Sequence, residues 1–197
     1  MKLITTDIPG VAIVEPAVFG DERGWFMETF NEPRFHAELA KLGLPAPRPF
    51  VQDNHSCSRA GVLRGLHFQV PPHAQGKLVR VTQGAAWDVA VDIRRDSPTF
   101  GRWVGVELSA ENRRQLWIPE GLAHGFLALQ DDTHFLYKTT DVYAKDCERA
   151  IVWNDGTLAI GWPLQAISPA LKSMLDGLPE LAAKDAGAPT LDQALRG

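Results

Sequence analysis

The chain has only two cysteines, Cys57 and Cys147, far apart and outside any C-x-x-C pattern. That scarcity excludes a disulfide-stapled secreted scaffold and leads us to expect a reduced, cytoplasmic protein. No apolar run approaches the roughly 18 residues of a membrane span, and the opening MKLITTDIPG has no apolar stretch of the signal-peptide kind. Basic residues are not in excess: the formal net charge is −4, which argues against a nucleic-acid partner while leaving room for a local cationic site. Glycine-rich phosphate loops of the P-loop or dinucleotide type are missing, and so is G-x-S-x-G. His67 and His73 stand apart with no H-x-H, so a compact metal-ligand cluster is not expected. Tyrosine is scarce as well, with Tyr137 and Tyr143 alone.

What remains is an ordinary globular balance, 45% hydrophobic and 22% charged over 197 residues, enough for one domain with a real core. Trp87, Val89, Val91 and Ile93 alternate with Ala86, Asp88, Ala90 and Asp92, a period-two pattern that predicts a half-buried strand. Val104, Val106 and Leu108 repeat it, and Leu78–Val81 and Phe135–Tyr137 are shorter candidates. Ala60-Gly61, Pro71-Pro72, Gln83-Gly84 and Asp131-Asp132 punctuate them as turns. Short strands at this spacing predict an all-β sandwich or barrel. Helical signals lie outside that block. Asn31 is placed to cap a helix over Pro33–Leu42, with Phe35, Leu39 and Leu42 on one face and Gly43 closing it. Beyond Ser168, Leu171, Met174, Leu175 and Leu178 fall at helical spacing, predicting a C-terminal helical appendage.

Four residues draw attention for their chemistry. In Leu63–Gln69, alternation sends Leu66 and Phe68 one way and His67 and Gln69 the other; Gly65 can mark a bulge that re-aims Arg64. A lone histidine is more often a core residue bonded to backbone. Here Lys77 opens the next strand, His124 sits in Ala123-His124-Gly125-Phe126, and Tyr137 lies on a later strand. A histidine with a reference pKa near ~6.5 accepts a proton at neutral pH, while a tyrosine near ~10 donates one. Such a pair suits removal of a proton from one face of a carbon and its return from the other, with a lysine to hold an enolate oxygen.

These stretches, with Val51–Ser56, Gln75–Arg80, Asp88–Arg94, Gln115–Pro119, Leu136–Lys138 and Trp153–Asp155, resemble the dTDP-4-dehydrorhamnose 3,5-epimerase family in sequence and order, from about Gly10 to Trp162. The resemblance implies a cupin-type β jelly roll over about 10–162, with short helical segments N-terminally and over 163–197, in a single epimerase domain. It implies a homodimer acting without cofactor or metal on a nucleoside-diphosphate 4-keto-6-deoxy sugar. His67 matches the family's base, Tyr137 the opposite-face acid, and Lys77 the lysine near the keto oxygen. Gln52, Asn54, Arg64 and His124 match residues lining the nucleotide-sugar site, and Tyr143 an aromatic contacting the nucleotide. Arg23, Phe26 and Glu28 match a segment donated by the partner subunit. The carboxylate behind the base falls on Asp185 in Ala182–Asp185, with Asp176 as the alternative because the tail is longer than usual. Cys57 stands where the family commonly has Tyr, and Val142 replaces the first of two adjacent tyrosines. Inversion at both C3 and C5 is the first expectation. A single-centre epimerase and a non-catalytic nucleotide-sugar-binding cupin are the alternatives.

Overall fold

A computed structural model of the chain describes residues 1–167 and 177–196. Strands dominate it in the order β1 (Lys2–Thr5), β2 (Ala12–Glu15), β3 (Val18–Asp21), β4 (Gly24–Met27), β5 (Gln52–Ser58), β6 (Leu63–Gln69), β7 (Lys77–Gln83), β8 (Ala85–Asp92), β9 (Trp103–Ser109), β10 (Gln115–Ile118), β11 (Leu122–Ala128), β12 (Thr133–Thr139) and β13 (Glu148–Ala150). Among the described residues, three short α-helices accompany them: α1 (Glu32–Lys41), α2 (Ala183–Ala186) and α3 (Leu191–Ala194). One sheet runs β1-β2-β10-β7-β12-β5, the other β13-β6-β11-β8-β9, and β3-β4 form a separate hairpin. The two antiparallel sheets face each other as a jelly-roll sandwich.

Three cores follow from strand alternation. Between the sheets lie Val79 and Val81 of β7, Ala86 and Ala90 of β8, Leu116 and Ile118 of β10, Phe126 of β11 and Phe135 of β12. Outside the first sheet, α1 sets Phe35 and Leu39 on Leu78 and Trp117. Both helix residues are fully buried, and each burial stabilises by about 1.5–3 kcal/mol. The helix starts where expected: Asn31 accepts from the Arg34 N–H at 3.2 Å, and Gly43, at φ +70°, ends it by donating to the Ala40 carbonyl.

Outside the second sheet, Val89, Val91, Leu63, Leu66 and Phe68 meet Ile151, Trp162, Ile167 and Leu191 of the C-terminal segment. This corrects one expectation. β8 is buried on both faces: the chain end covers the Val89 and Val91 side, and the Ala86 and Ala90 side, which alternation alone leaves to solvent, faces the other sheet. Within the tail, Leu171, Met174, Leu175 and Asp176 lie outside the described residues, whereas Leu178 is exposed in a turn.

Candidate active site

Alternation also decides what faces the inter-sheet space. Lys77 shares a face with Val79 and Val81, Tyr137 with Phe135, and His124 with Phe126, whereas His67 opposes Leu66 and Phe68. Where these side chains run out of apolar cover, a cleft of about 130 Å³ opens. It is lined by Gln52, Asn54, His67, Phe68, Gln69, Gln75, Lys77, Tyr137, Tyr143 and Glu148. His67 belongs to one sheet and Tyr137 to the other, so the two stand on opposing walls.

β6 reaches the cleft through an irregularity. Its pairing with β11 passes from His124↔His67 to Phe126↔Arg64, so β6 carries one residue more than its partner there. Gly65 absorbs it at φ +121°, and a Cβ on Gly65 would lie 2.6 Å from the Gly125 Cα. Two glycines thus let the strands touch backbone to backbone. In consequence Leu63 and Leu66 share one core, and Arg64 leaves the Leu66 side. Its Nε donates to Ser58 Oγ at 3.0 Å, and its charge reaches Tyr137.

Behind His67 stands Asp185, carried by α2. Its Oδ1 lies 2.7 Å from His67 Nε2, and the Gly65 N–H donates to Oδ2 at 3.3 Å. The Asp185 side chain is 2% exposed and the His67 side chain 24%. Burial pushes the Asp185 carboxyl up, but the His67 contact and the Gly65 N–H outweigh it and hold it below the usual carboxylate range. A carboxylate only accepts, so Nε2 carries a proton, and in the neutral ring the lone pair is on Nδ1. The tail that brings Asp185 is tied down by the Leu63 N–H on the Glu180 carbonyl (2.9 Å) and the Glu180 N–H on the Gly61 carbonyl (2.8 Å).

Lys77 is buried, and its Nζ approaches the His67 carbonyl at 3.4 Å. Burial brings its ammonium down to about 8, against the opposing fields of Asp88 and Glu148. Burial raises the Tyr137 phenol, with Lys184 and Arg64 working against the rise, so it is neutral and protonated at pH 7. His124 sits beside His67 in register, with its Nε2 2.7 Å from Asp88 Oδ1. Burial pushes His124 down despite that carboxylate.

At the mouth, Tyr143 donates its hydroxyl to Glu148 Oε2 (3.0 Å), and Lys184 donates to Oε1 (3.2 Å). Burial opposes ionisation of Glu148, yet these two bonds leave it below its ordinary range. The Tyr143 N–H donates to Gln52 Oε1, whose amide donates to Asn54. Sequence reasoning missed Glu148, Lys184, Gln69, Gln75 and the partner of His124, Asp88. Asp88 carried one signal, a carboxylate centred in a strand between small residues. Glu148 carried none.

Arg23, Phe26 and Glu28 are not brought to this cleft. Arg23 pairs with Asp21 at 2.6 Å, Phe26 is 69% exposed on the β3–β4 hairpin, and Glu28 accepts from Asn31 and Arg34. Among the described residues, no group of three or more His, Cys, Asp or Glu is placed to hold a metal ion. None of the described helices is long and apolar enough to cross a membrane. Chemically, the cleft offers a base on one wall, a neutral acid on the other and a buried cation, a set suited to moving protons at an acidified carbon.

Comparison with known proteins gives concordant results. A family model described as dTDP-4-dehydrorhamnose 3,5-epimerase matches residues 5–193. The dTDP-4-dehydrorhamnose 3,5-epimerase of Salmonella typhimurium is 55% identical over 195 residues, covering 99% of this chain and 98% of that one. A Legionella pneumophila dTDP-6-deoxy-D-glucose-3,5-epimerase, solved in complex with dTDP-4-keto-L-rhamnose, aligns with TM-score 0.84 and 47% identity over 97% of this chain and 93% of that one. A 3'-monoepimerase from Streptomyces bikiniensis, in complex with dTDP-quinovose, aligns with TM-score 0.81 and 34% identity over 100% of this chain and 90% of that one.

Proposed function

This chain belongs to the dTDP-4-dehydrorhamnose 3,5-epimerase family, and from that premise we propose how its cleft works. The enzyme is an isomerase that converts dTDP-4-dehydro-6-deoxy-D-glucose to dTDP-4-dehydro-L-rhamnose by epimerisation at C3 and C5. The 4-keto group acidifies both neighbouring carbons. His67 Nδ1 takes the proton from C3 or C5, and the electron pair moves into an enolate. The Lys77 ammonium holds the enolate oxygen. Tyr137 then gives its phenolic proton to the opposite face, which inverts the centre, and both groups re-equilibrate with solvent. Asp185 holds the imidazole tautomer and balances the charge it gains. Neither hydride carrier nor metal is required, because the same carbon loses and regains a proton.

The observation that carries this reading is the placement of His67, backed by Asp185 at 2.7 Å, and Tyr137 on facing sheets of one cleft. Gln52, Asn54, Arg64, His124 and Tyr143 are assigned to substrate binding. Arg64 supplies a forked donor suited to a diphosphate. Arg23, Phe26 and Glu28 complete the site from a partner subunit. The β3–β4 hairpin exposes Val18, Phe19, Trp25 and Phe26, and a two-stranded hairpin with this apolar surface favours docking on a second copy. The whole chain acts as one domain, since the tail supplies Asp185 to the β core. Two free thiols support a cytoplasmic location.

The likeness to a 3'-monoepimerase gives one second reading, inversion at a single centre. Turnover in deuterated water separates them. Two deuterated, inverted carbons are expected; one would favour the monoepimerase reading, and none would remove catalysis.

A further inference from the structure

Among the described residues, the buried side-chain atoms without a hydrogen-bond partner are Trp87 Nε1, Asp88 Oδ2 and Arg113 Nε. Only Asp88 brings a formal charge into the inter-sheet space without any cation bonded to it. Its side chain is fully buried, Oδ1 is taken up by His124 Nε2, and Oδ2 is left bare. A half-satisfied buried carboxylate is costly, and its retention calls for a reason. Supporting His124 does not supply one, because that ring is driven toward its neutral form and a neutral acceptor would hold it as well.

The unexplained charge has a counterpart. Lys77 is a buried ammonium with no carboxylate in hydrogen-bond contact. His67 of β6, Tyr137 of β12 and Glu148 of β13 line the cleft with Lys77; His124 of β11 pairs with His67, whose carbonyl Lys77 approaches at 3.4 Å, and holds Asp88 of β8 at 2.7 Å. His124 and Tyr137 are neutral at pH 7. Glu148 already has both oxygens engaged and its charge matched by Lys184. Asp88 alone is a buried carboxyl with one oxygen left without a partner. We propose that Asp88 is a positioning residue that supplies, through space, the negative charge allowing the Lys77 ammonium to persist inside the cleft, and that this, not support of His124, is its function.

The proposal rests on the proposed role of Lys77 in holding the enolate oxygen. A cation there is useful only while charged, and burial works against that charge. Bonding Asp88 directly to Lys77 would quench the cation and draw it off the substrate. Tethering the carboxylate to His124 instead delivers field without contact. The arrangement keeps the ammonium both charged and free.

The test follows the titration of Lys77 by the 13Cε resonance of the whole enzyme, assigned by its loss in Lys77→Arg. Asp88→Asn keeps an acceptor for His124 but removes the charge, and should weaken proton binding at Lys77 at least tenfold. His124→Gln should leave it near wild type. An unchanged titration in Asp88→Asn overturns the proposal, and so does an equal shift in both variants, which would mean that Asp88 acts through His124. The coupling is mutual, so Lys77→Met should make Asp88 easier to protonate by a similar factor, read from its 13Cγ resonance. That measurement decides the matter even if Asp88→Asn does not fold; no change there contradicts us. In turnover, Asp88→Asn should move the alkaline limb of kcat to lower pH with KM little altered. If the wild type does not epimerise its substrate, the proposed function fails while the two titrations still judge the role of Asp88.

Discussion

His67 and His124 face each other on paired strands, and each presents Nε2 to a carboxylate at 2.7 Å. The two pairs differ in what surrounds them and in how they are assembled. His124 and Asp88 are 36 positions apart on neighbouring strands of one sheet, and their side chains are 8% and 0% exposed. His67 opens onto the cleft, and its carboxylate arrives from 118 positions away on a chain end tied down by a few backbone bonds and Leu191. The same pair of groups therefore serves two ends. The sealed pair is out of reach of a substrate, and its part is the field inferred above. The open pair borders the cleft, and its part in the proposed mechanism is the proton transfer.

Asp185→Asn should break the comparison most severely. The amide can turn its NH2 toward Nε2, which drives the ring proton to Nδ1 and occupies the lone pair that the base requires. We expect kcat to fall by about 10²–10⁴-fold with nucleotide binding retained, measured by steady-state turnover and calorimetric titration with dTDP. Loss of binding with normal kcat would reverse the roles assigned. Leu191→Ala comes next. Leu191 is buried against the core that anchors the tail, and truncation should cost about 2–5 kcal/mol in chemical denaturation. Because the tail carries Asp185 but not Asp88, activity should fall while the His124 ring resonances stay in place. Equal disturbance of both histidines would mean that the pairs are not independently assembled.

The smallest effect is one of pH. Burial brings Lys77 to about 8, so the ammonium is present below that pH and lost above it. Epimerisation should decline as pH rises through about 8, and Lys77→Met should flatten that limb at a uniformly lower rate. A wild-type rate still rising above pH 9 would contradict the part given to Lys77.

Parts of this site were legible in the sequence for physical reasons, and others were hidden for equally physical ones. Asn31, Phe35, Leu39 and Gly43 declare α1 because cap, periodicity and terminator all agree. β9 and β12 show alternation, yet β5 (QDNHSCS) has only Cys57 as an apolar residue and none to alternate with it, since one of its faces lines the cleft. In β8, Ala86, Asp88 and Ala90 resemble a solvent face only because small residues are needed where two sheets meet. His67, Lys77 and Tyr137 were readable as an acid–base set from their chemistry, and the resemblance gave each its role. Asp185 was found by resemblance alone, because no local pattern announces a carboxylate that closes on a strand 118 positions upstream. Lys184 and Glu148 meet only in three dimensions: the resemblance covers Lys184 within Ala182–Asp185 without giving it a partner, and Glu148 lies in no pattern.

The claim that His67 and Tyr137 act from opposite walls is tested most directly by following deuterium and configuration together in Tyr137→Phe. The base still works in this variant, so it can remove a proton and return one to the same face. Solvent deuterium should continue to enter the sugar while inverted product drops by about 10²–10⁴-fold. His67→Asn, run alongside with dTDP binding and circular dichroism as controls, should lose exchange and inversion together. Near-normal formation of the doubly inverted sugar by Tyr137→Phe would contradict the assignment of the acid.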